Sequence, residues 1–204
     1  LVLKINGKTC IPSDDSAFSP LTAQVEDAVR IGADAIGYTL YVGSPNQADD
    51  IRQFTEVRNA CDKYGMPIIM WAYPRGSAIG GKGGKDTVYA IDYAARVACE
   101  LGADVVKINL PKPAGDGTPG EYQGLNENLQ EMTNRLVRSA GRSMVLFSGG
   151  SKVSDDDLMN QVETSMNAGA TGIIFGRNMW QRPFDEALAI SKRVTETFAR
   201  YGDK

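Results

Sequence analysis

Short apolar runs of strand length alternate with longer amphipathic stretches along the whole chain, and this alternation limits the available folds more than any other feature. The runs are Val2–Ile5, Ala35–Tyr41, Pro67–Tyr73, Asp104–Leu110, Ser143–Phe147 and Thr171–Phe175. Helix-like segments lie near residues 21–31, 46–64, 86–101, 121–140, 154–168 and 183–201. Glycines 32, 65, 102, 141 and 169 stand just before the next strand, where a left-handed C-cap requires them. Asp86 reads as a helix start, and Ser154 followed by Asp157 as a capping box with Asp in place of Glu. Three junctions repeat one pattern: Ile31-Gly-Ala-Asp-Ala-Ile-Gly, Leu101-Gly-Ala-Asp-Val-Val-Lys and Ala168-Gly-Ala-Thr-Gly-Ile-Ile. Strict β/α alternation implies a parallel sheet, with strands buried on both faces.

A doubly wound sheet and a closed β/α barrel share this pattern, and the polar residues at the strand ends separate them. Nearly every strand ends in polar or special residues: Lys4 and Asn6; Tyr38 and Tyr41; Trp71, Tyr73 and Arg75; Lys107 and Asn109; Ser148-Gly-Gly; Gly176-Arg-Asn. An open sheet concentrates its ligand groups at one switch point, whereas every βα loop of a barrel faces the site. The expected fold is therefore an α/β (β/α)8 TIM barrel, residues 1–204 forming one domain with no linker. Six units are legible and the chain begins inside a strand, so two upstream β/α units are expected. The Gly/Pro-rich stretches Gly76–Lys85 and Pro111–Gly120 read as long loops after strands, the first as a mobile lid. Gly76-Ser-Ala-Ile-Gly-Gly-Lys-Gly nearly spells a phosphate-binding Walker loop, but Gly83 stands where Ser or Thr would bind magnesium.

Composition narrows the chemistry. There are 204 residues and no histidine, which excludes Ser-His and Cys-His nucleophile pairs, His-containing zinc sites and imidazole acid–base catalysis. The formal charge of −3 argues against nucleic acid as a partner. No apolar run approaches the roughly 18 residues of a membrane span. The three cysteines, Cys10, Cys61 and Cys99, are scattered and form no Cys-x-x-Cys pair, as expected of a reduced, cytoplasmic protein. The run Asp155–Asp157 reads as a solvated helix N-terminus favoured by the dipole.

Lys107 is the leading candidate for chemistry. Alternation sets Val105, Lys107 and Asn109 on one strand face and Val106, Ile108 and Leu110 on the other, so the apolar face suits the helix layer and Lys107 points into the barrel. Desolvation there lowers an amine's pKa and frees it as a nucleophile toward carbonyls; pairing with a carboxylate or binding a phosphate are the alternatives. Trp71 and Tyr73 share a face, and the phenol at the strand end suits proton transfer, although both also fit as large core residues. Ser148-Gly-Gly-Ser-Lys and Gly176-Arg-Asn end consecutive strands, as a phosphate site after the last two barrel strands would require. Tight turns alone would explain these glycines but not Arg177.

Together these motifs resemble the archaeal-type class I fructose-bisphosphate aldolases of the deoxyribose-phosphate aldolase-like family. The matching stretches are Leu3-Lys-Ile-Asn-Gly-Lys-Thr, Ile36-Gly-Tyr-Thr-Leu-Tyr-Val-Gly-Ser, Met70-Trp-Ala-Tyr-Pro-Arg-Gly, Val106-Lys-Ile, Ser148-Gly-Gly-Ser-Lys and Gly176-Arg-Asn-Met-Trp-Gln-Arg. The resemblance implies that Lys107 forms an imine with dihydroxyacetone phosphate, that Tyr73 transfers protons, and that Trp71 lies beside them. It implies one phosphate held by Ser148, Gly149, Gly150, Gly176 and Arg177, with Arg75 meeting the other. It further implies a small phosphosugar substrate, neither metal nor cofactor, no nucleic-acid or membrane partner, and a homo-oligomer. Related Schiff-base enzymes (a heptulosonate synthase or a phosphorylated-pentanedione thiolase) and a non-catalytic phosphosugar-binding barrel are the competing readings. The family's Asp-His-Gly segment has no counterpart here. The loop after the Schiff-base strand is longer and proline-rich, leaving Asp116 and Glu121 as candidate carboxylates.

Overall fold

The computed structural model describes residues 1–150 and 152–202. Six strands form one parallel sheet in sequential order: β1 (Val2–Lys4), β2 (Ala35–Val42), β3 (Ile68–Pro74), β4 (Val105–Asn109), β5 (Met144–Ser148) and β6 (Gly172–Ile174). Every neighbour in space is a neighbour in sequence. This order belongs to a (β/α) barrel wall, because a doubly wound sheet reverses direction at its switch point. β1 and β6 do not pair with each other, so the wall curls without closing.

The main crossover helices are α1 (Val25–Arg30), α2 (Gln47–Tyr64), α4 (Val88–Glu100), α6 (Leu129–Ser139) and α7 (Asp155–Asn167), and α9 (Phe184–Ala199) follows β6. Short helices α3 (Ser77–Gly80), α5 (Gly120–Gln123) and α8 (Arg177–Trp180) sit in loops, and a 3-10 turn spans Asp14–Ser16. All five anticipated capping glycines have positive φ, from 61° at Gly65 and Gly141 to 95° at Gly102.

The core lies between the sheet's outer face and the helices. Ile36, Tyr38 and Leu40 of β2, Met70 and Ala72 of β3, Val106 and Ile108 of β4, and Phe147 of β5 are fully buried there. They meet Phe54 and Cys61 of α2, Leu136 of α6, and a small-residue stripe of α4, Ala94, Ala95 and Ala98. That stripe lets α4 approach the sheet closely. With the apolar residues directed outward, alternation turns Lys4, Thr39, Trp71, Tyr73, Lys107, Asn109 and Ser148 toward the barrel interior.

Several boundaries differ from expectation, each for a local reason. The helix expected over 121–140 breaks in two because Asn128 starts a new one: its side chain accepts from the Glu131 N–H at 3.0 Å while Glu131 accepts from the Asn128 N–H at 2.8 Å. Thr87 rather than Asp86 caps α4, accepting from the Ala90 N–H. The Ser154–Asp157 box is only half formed: Ser154 accepts from the Asp157 N–H, but the Asp157 carboxylate takes the Ser154 hydroxyl. Asp155 in the same run is ion-paired with Arg182 rather than simply solvated. Tyr38 points outward into the helix layer, its ring tilted at 60° against that of Phe54, and is no part of the barrel mouth. In the segment read as a lid, Ser77, Ala78, Gly80, Gly81, Lys82 and Lys85 are exposed, while Ile79 is buried and anchors it against Gly43, where a Cβ would lie 2.4 Å from the Ile79 side chain.

Candidate active site

Strand register brings the central residues together. Trp71 pairs with Lys107 across β3 and β4, Tyr41 with Tyr73 across β2 and β3, and Asn109 with Ser148 across β4 and β5. Paired residues of neighbouring parallel strands share a face, so Trp71, Tyr73, Lys107 and Ser148 form one interior patch.

Lys107 is 4% exposed, and its Nζ donates a 2.7 Å hydrogen bond to the Tyr73 hydroxyl oxygen. It lies 5.2 Å from the Tyr73 ring centre and 5.7 Å from that of Trp71. Among the described residues Lys107 forms no ion pair, so a structural lysine held by a carboxylate is not what the fold contains. Burial alone pulls its pKa from 10.5 down to about 8. The amine is therefore desolvated without a compensating charge, the condition for a nucleophilic lysine.

Tyr73 responds in the opposite sense. Burial raises its pKa, opposed by a hydrogen bond from Ser148 and by the charges of Arg75 and Arg177. The phenol thus stays protonated at neutral pH. It can release a proton only as charge develops beside it, as a general acid–base partner must.

A second desolvated lysine stands across Trp71. Lys4 Nζ is also 5.7 Å from the Trp71 ring and donates to Asn6 Oδ1 at 2.6 Å and to the Asn6 carbonyl oxygen. Burial lowers its pKa to about 8, with Asp50 opposing the shift. Gly37 makes room for this arrangement, since a Cβ there would lie 2.8 Å from the Trp71 ring and 3.0 Å from the Lys4 side chain. Asn6 spans β1 and β2, accepting from the Thr39 N–H at 2.8 Å and donating to the Thr39 carbonyl at 2.9 Å.

Above the patch opens a cavity of about 510 Å³ lined by residues that include Tyr73, Arg75, Ser148, Gly149, Gly150 and Arg177. Lys107 lies beneath it, reached through Tyr73. Five of the six candidate phosphate residues therefore line one space, and Gly176 immediately precedes Arg177. The glycines also have packing reasons to be glycine. A Cβ on Gly149 would lie 2.3 Å from Phe175, one on Gly176 would lie 2.6 Å from Trp180, and Gly150 has φ +59°. Ser151 of the same motif lies outside the described residues. Arg75 is already engaged: its Nη1 donates to the Pro74 carbonyl at 2.7 Å, and its Nε is 3.0 Å from Asp14, a charge contact without hydrogen-bond alignment. Asp116 and Glu121 are exposed and do not line the cavity.

Sequence reasoning missed two supporting residues, Asp14 and Asp50, and read a third, Asn178, only as the end of a glycine motif. Asp14, from the long loop after β1, pairs with both Lys8 and Arg75, and the hydrogen bond from Lys8 holds its carboxyl below the ordinary range. No sequence signal links residues so far apart. Asn178 is buried and clamps two loops, donating to the Gly149 carbonyl at 2.7 Å and accepting from the Val153 N–H at 3.0 Å. Asp50 is fully buried, accepting from the Tyr38 hydroxyl at 2.7 Å and the Tyr41 N–H at 3.1 Å; burial raises its pKa. Its spacing with Phe54, Val57 and Cys61 put it on the core face of α2, a signal that was available.

Comparison with known proteins bears on this geometry directly. The chain is 36% identical over 205 residues to the class 1 fructose-bisphosphate aldolase of Thermoproteus tenax, covering all of this chain and 69% of that protein. It is 36% identical over 190 residues to the enzyme of the same name from Halobacterium salinarum, covering 92% of this chain and 64% of that one. A solved archaeal fructose-1,6-bisphosphate aldolase, with its catalytic lysine covalently bound to the carbinolamine intermediate of the substrate, superposes with a TM-score of 0.80 at 34% identity, covering 96% of this chain and 69% of its own. The chain thus spans about two thirds of the length of these relatives. The model of the DeoC/LacD family of aldolases matches residues 1–182, the whole sheet and every helix before α9, and the chain belongs to that family.

Proposed function

We propose that the protein is a metal-independent Schiff-base (class I) aldolase that reversibly cleaves fructose 1,6-bisphosphate into dihydroxyacetone phosphate and glyceraldehyde 3-phosphate, with Lys107 as nucleophile. The observation that carries this reading is the 2.7 Å contact, at a basic cavity, between a half-buried phenol and a desolvated lysine that has no ion pair among the described residues. The neutral Lys107 amine adds to the C2 ketone, and the resulting carbinolamine takes up one proton from solvent and loses water to give a protonated imine. That cation accepts the electron pair of the C3–C4 bond as it breaks. The Tyr73 hydroxyl relays the proton of the C4 hydroxyl to water, passing on its own proton as it accepts that one, so that glyceraldehyde 3-phosphate leaves and an enamine remains. Returning the proton to C3 regenerates the imine, and hydrolysis frees dihydroxyacetone phosphate and Lys107. Trp71 walls off the amine from the interior and offers its face to the cationic intermediate.

In this reading the phosphate next to the imine lies against Ser148, Gly149, Gly150, Gly176 and Arg177, and Arg75 stands on the side of the other phosphate. Ser148 stands between the two roles, since it lines the same cavity as Tyr73 and its side chain opposes the upward shift of the phenol's pKa. The reading extends to a cytoplasmic homo-oligomer whose partner is a small phosphosugar rather than nucleic acid or membrane. Among the described residues, no helix is long and apolar enough to cross a membrane. Residues 1–204 act as one barrel domain, and two further β/α units close the wall between β1 and β6. The unpaired edges and the exposed Trp180, Phe184 and Leu188 after β6 support that closure.

The test is aldehyde release from fructose 1,6-bisphosphate in the presence of a metal chelator, for the protein and for Lys107→Ala. Turnover that survives the chelator and vanishes in the variant, with phosphate binding retained, is expected. Turnover by Lys107→Ala would refute the assignment.

A further inference from the structure

We propose that Asp14 is a positioning residue for the proton relay: it holds the Arg75 guanidinium over the Tyr73 ring, where a fixed positive charge eases the passage of the proton through the phenol. The inference rests on the aldolase reading above and deepens it. The guanidinium carbon of Arg75 stands 5.4 Å from the Tyr73 ring centre, and Lys107 Nζ stands 5.2 Å from it. The two cations behave differently during turnover. The charge on the Lys107 nitrogen comes and goes with the imine, whereas a guanidinium stays charged throughout. A hydroxyl that hands on one proton as it accepts another passes through states with partial phenolate character, and a fixed cation nearby stabilises those states. The charge of Arg75 opposes the upward pull of burial on the Tyr73 pKa, and does so more strongly than that of Arg177.

Left to itself, an arginine at the mouth of a cavity extends its head into water. Arg75 is folded back instead, with its side chain only 17% exposed. Its own backbone offers one hold, the Pro74 carbonyl that accepts from Nη1 at 2.7 Å. Asp14 supplies the other and is its one ion-pair partner among the described residues, with Oδ2 3.0 Å from Nε. The second carboxylate oxygen of Asp14 meets Lys8 Nζ at 2.9 Å, so each oxygen has its own cation and the group stays ionised. The turn that carries Asp14 is itself pinned. Asn46 Nδ2 donates to the Ser16 carbonyl at 2.8 Å, the Ser44 hydroxyl to the Ala17 carbonyl at 2.6 Å, and Gln53 Nε2 to the Ser19 carbonyl at 3.0 Å. On the other side, the Arg75 N–H donates to the Val42 carbonyl at 2.9 Å. Both partners are thus fastened to the end of β2 and its following segment, so the fold rather than their mutual attraction sets the distance between them. Such preorganisation keeps a charge in place without an ordering cost at the moment of reaction.

The experiment is a double-mutant cycle on fructose 1,6-bisphosphate cleavage, with kcat and KM measured for the protein, Asp14→Ala, Asp14→Glu, Tyr73→Phe and the Asp14→Ala/Tyr73→Phe pair. Asp14→Ala should lower kcat about tenfold without raising KM, and borohydride should still trap dihydroxyacetone phosphate on Lys107. Asp14→Glu, which keeps the carboxylate, should recover most of the loss. In the Tyr73→Phe background the same Asp14→Ala change should leave the residual kcat within about twofold, because the group it serves is already gone. An unchanged kcat in Asp14→Ala, or an equal tenfold loss with and without the phenol, overturns the positioning role and leaves the aldolase reading intact. No cleavage by the unaltered protein, together with no trapped adduct on Lys107, overturns both.

Discussion

Replacing Lys107 with methionine, a side chain of similar volume and no charge, should make the protein more stable while destroying its chemistry. In the folded chain the amine loses its proton at about 8 instead of 10.5 because burial penalises the charged form. That depression corresponds to about 3 kcal/mol of destabilisation by the lysine wherever it is protonated in both states, below about pH 8. The penalty falls as pH rises from about 8 to 10.5, where the unfolded chain still holds a proton that the folded chain has released. Methionine forfeits the hydrogen bond to Tyr73, worth about 1 kcal/mol. The net gain is then about 2 kcal/mol at pH 6.5 and close to zero at about pH 9.5. Urea unfolding of both proteins at the two pH values, analysed with a common m-value, measures the difference, and groups shared by the two chains cancel. A variant no more stable at pH 6.5, or a gain that does not change with pH, would refute the claim that Lys107 is desolvated without a charged partner.

Three further outcomes follow from the same geometry. Tyr73→Phe should reduce kcat for cleavage by about 10²–10⁴-fold while borohydride still traps dihydroxyacetone phosphate on Lys107, because the phenol moves protons rather than forming the imine; stopped-flow cleavage and peptide mass mapping read the two effects. The rate of imine formation should rise with pH and level off above about 8, as Lys107 loses its proton; a profile still climbing steeply at pH 10 would mean an ordinary lysine. Gly37→Ala should cost about 1–3 kcal/mol and shift the Trp71 fluorescence, since its Cβ would lie 2.8 Å from the indole ring; unchanged stability and emission would contradict that packing.

Much of this site was legible before any coordinates, because it rests on strand periodicity. An apolar face at Val106 and Ile108 forces Lys107 inward, and the same alternation turns Trp71 and Tyr73 toward it. Capping glycines fixed where each unit ends, so strand order followed. What alternation cannot convey is which polar groups from distant loops meet. Asp14 reaches Arg75 from the loop after β1, which changes the reading of Arg75 from an available phosphate ligand to a largely engaged one. Asn178 looked like the tail of a glycine motif, yet it ties that loop to the preceding one. Tyr38 shows the reverse error: a polar residue near a strand end that points outward, where Asp50 satisfies its hydroxyl inside the helix layer. The loop after β4 was read as length and proline content alone, and its clip to Asp86 and Val88 depends on backbone pairing that side-chain identity does not encode.

The most direct test of the central claim is intact mass and peptide mapping after incubation with dihydroxyacetone phosphate and sodium borohydride. Reduction of the imine leaves a stable secondary amine, and the account predicts one adduct per chain, on Lys107. A folded protein that gains no mass, or an adduct on Lys4 across the Trp71 ring, would contradict it.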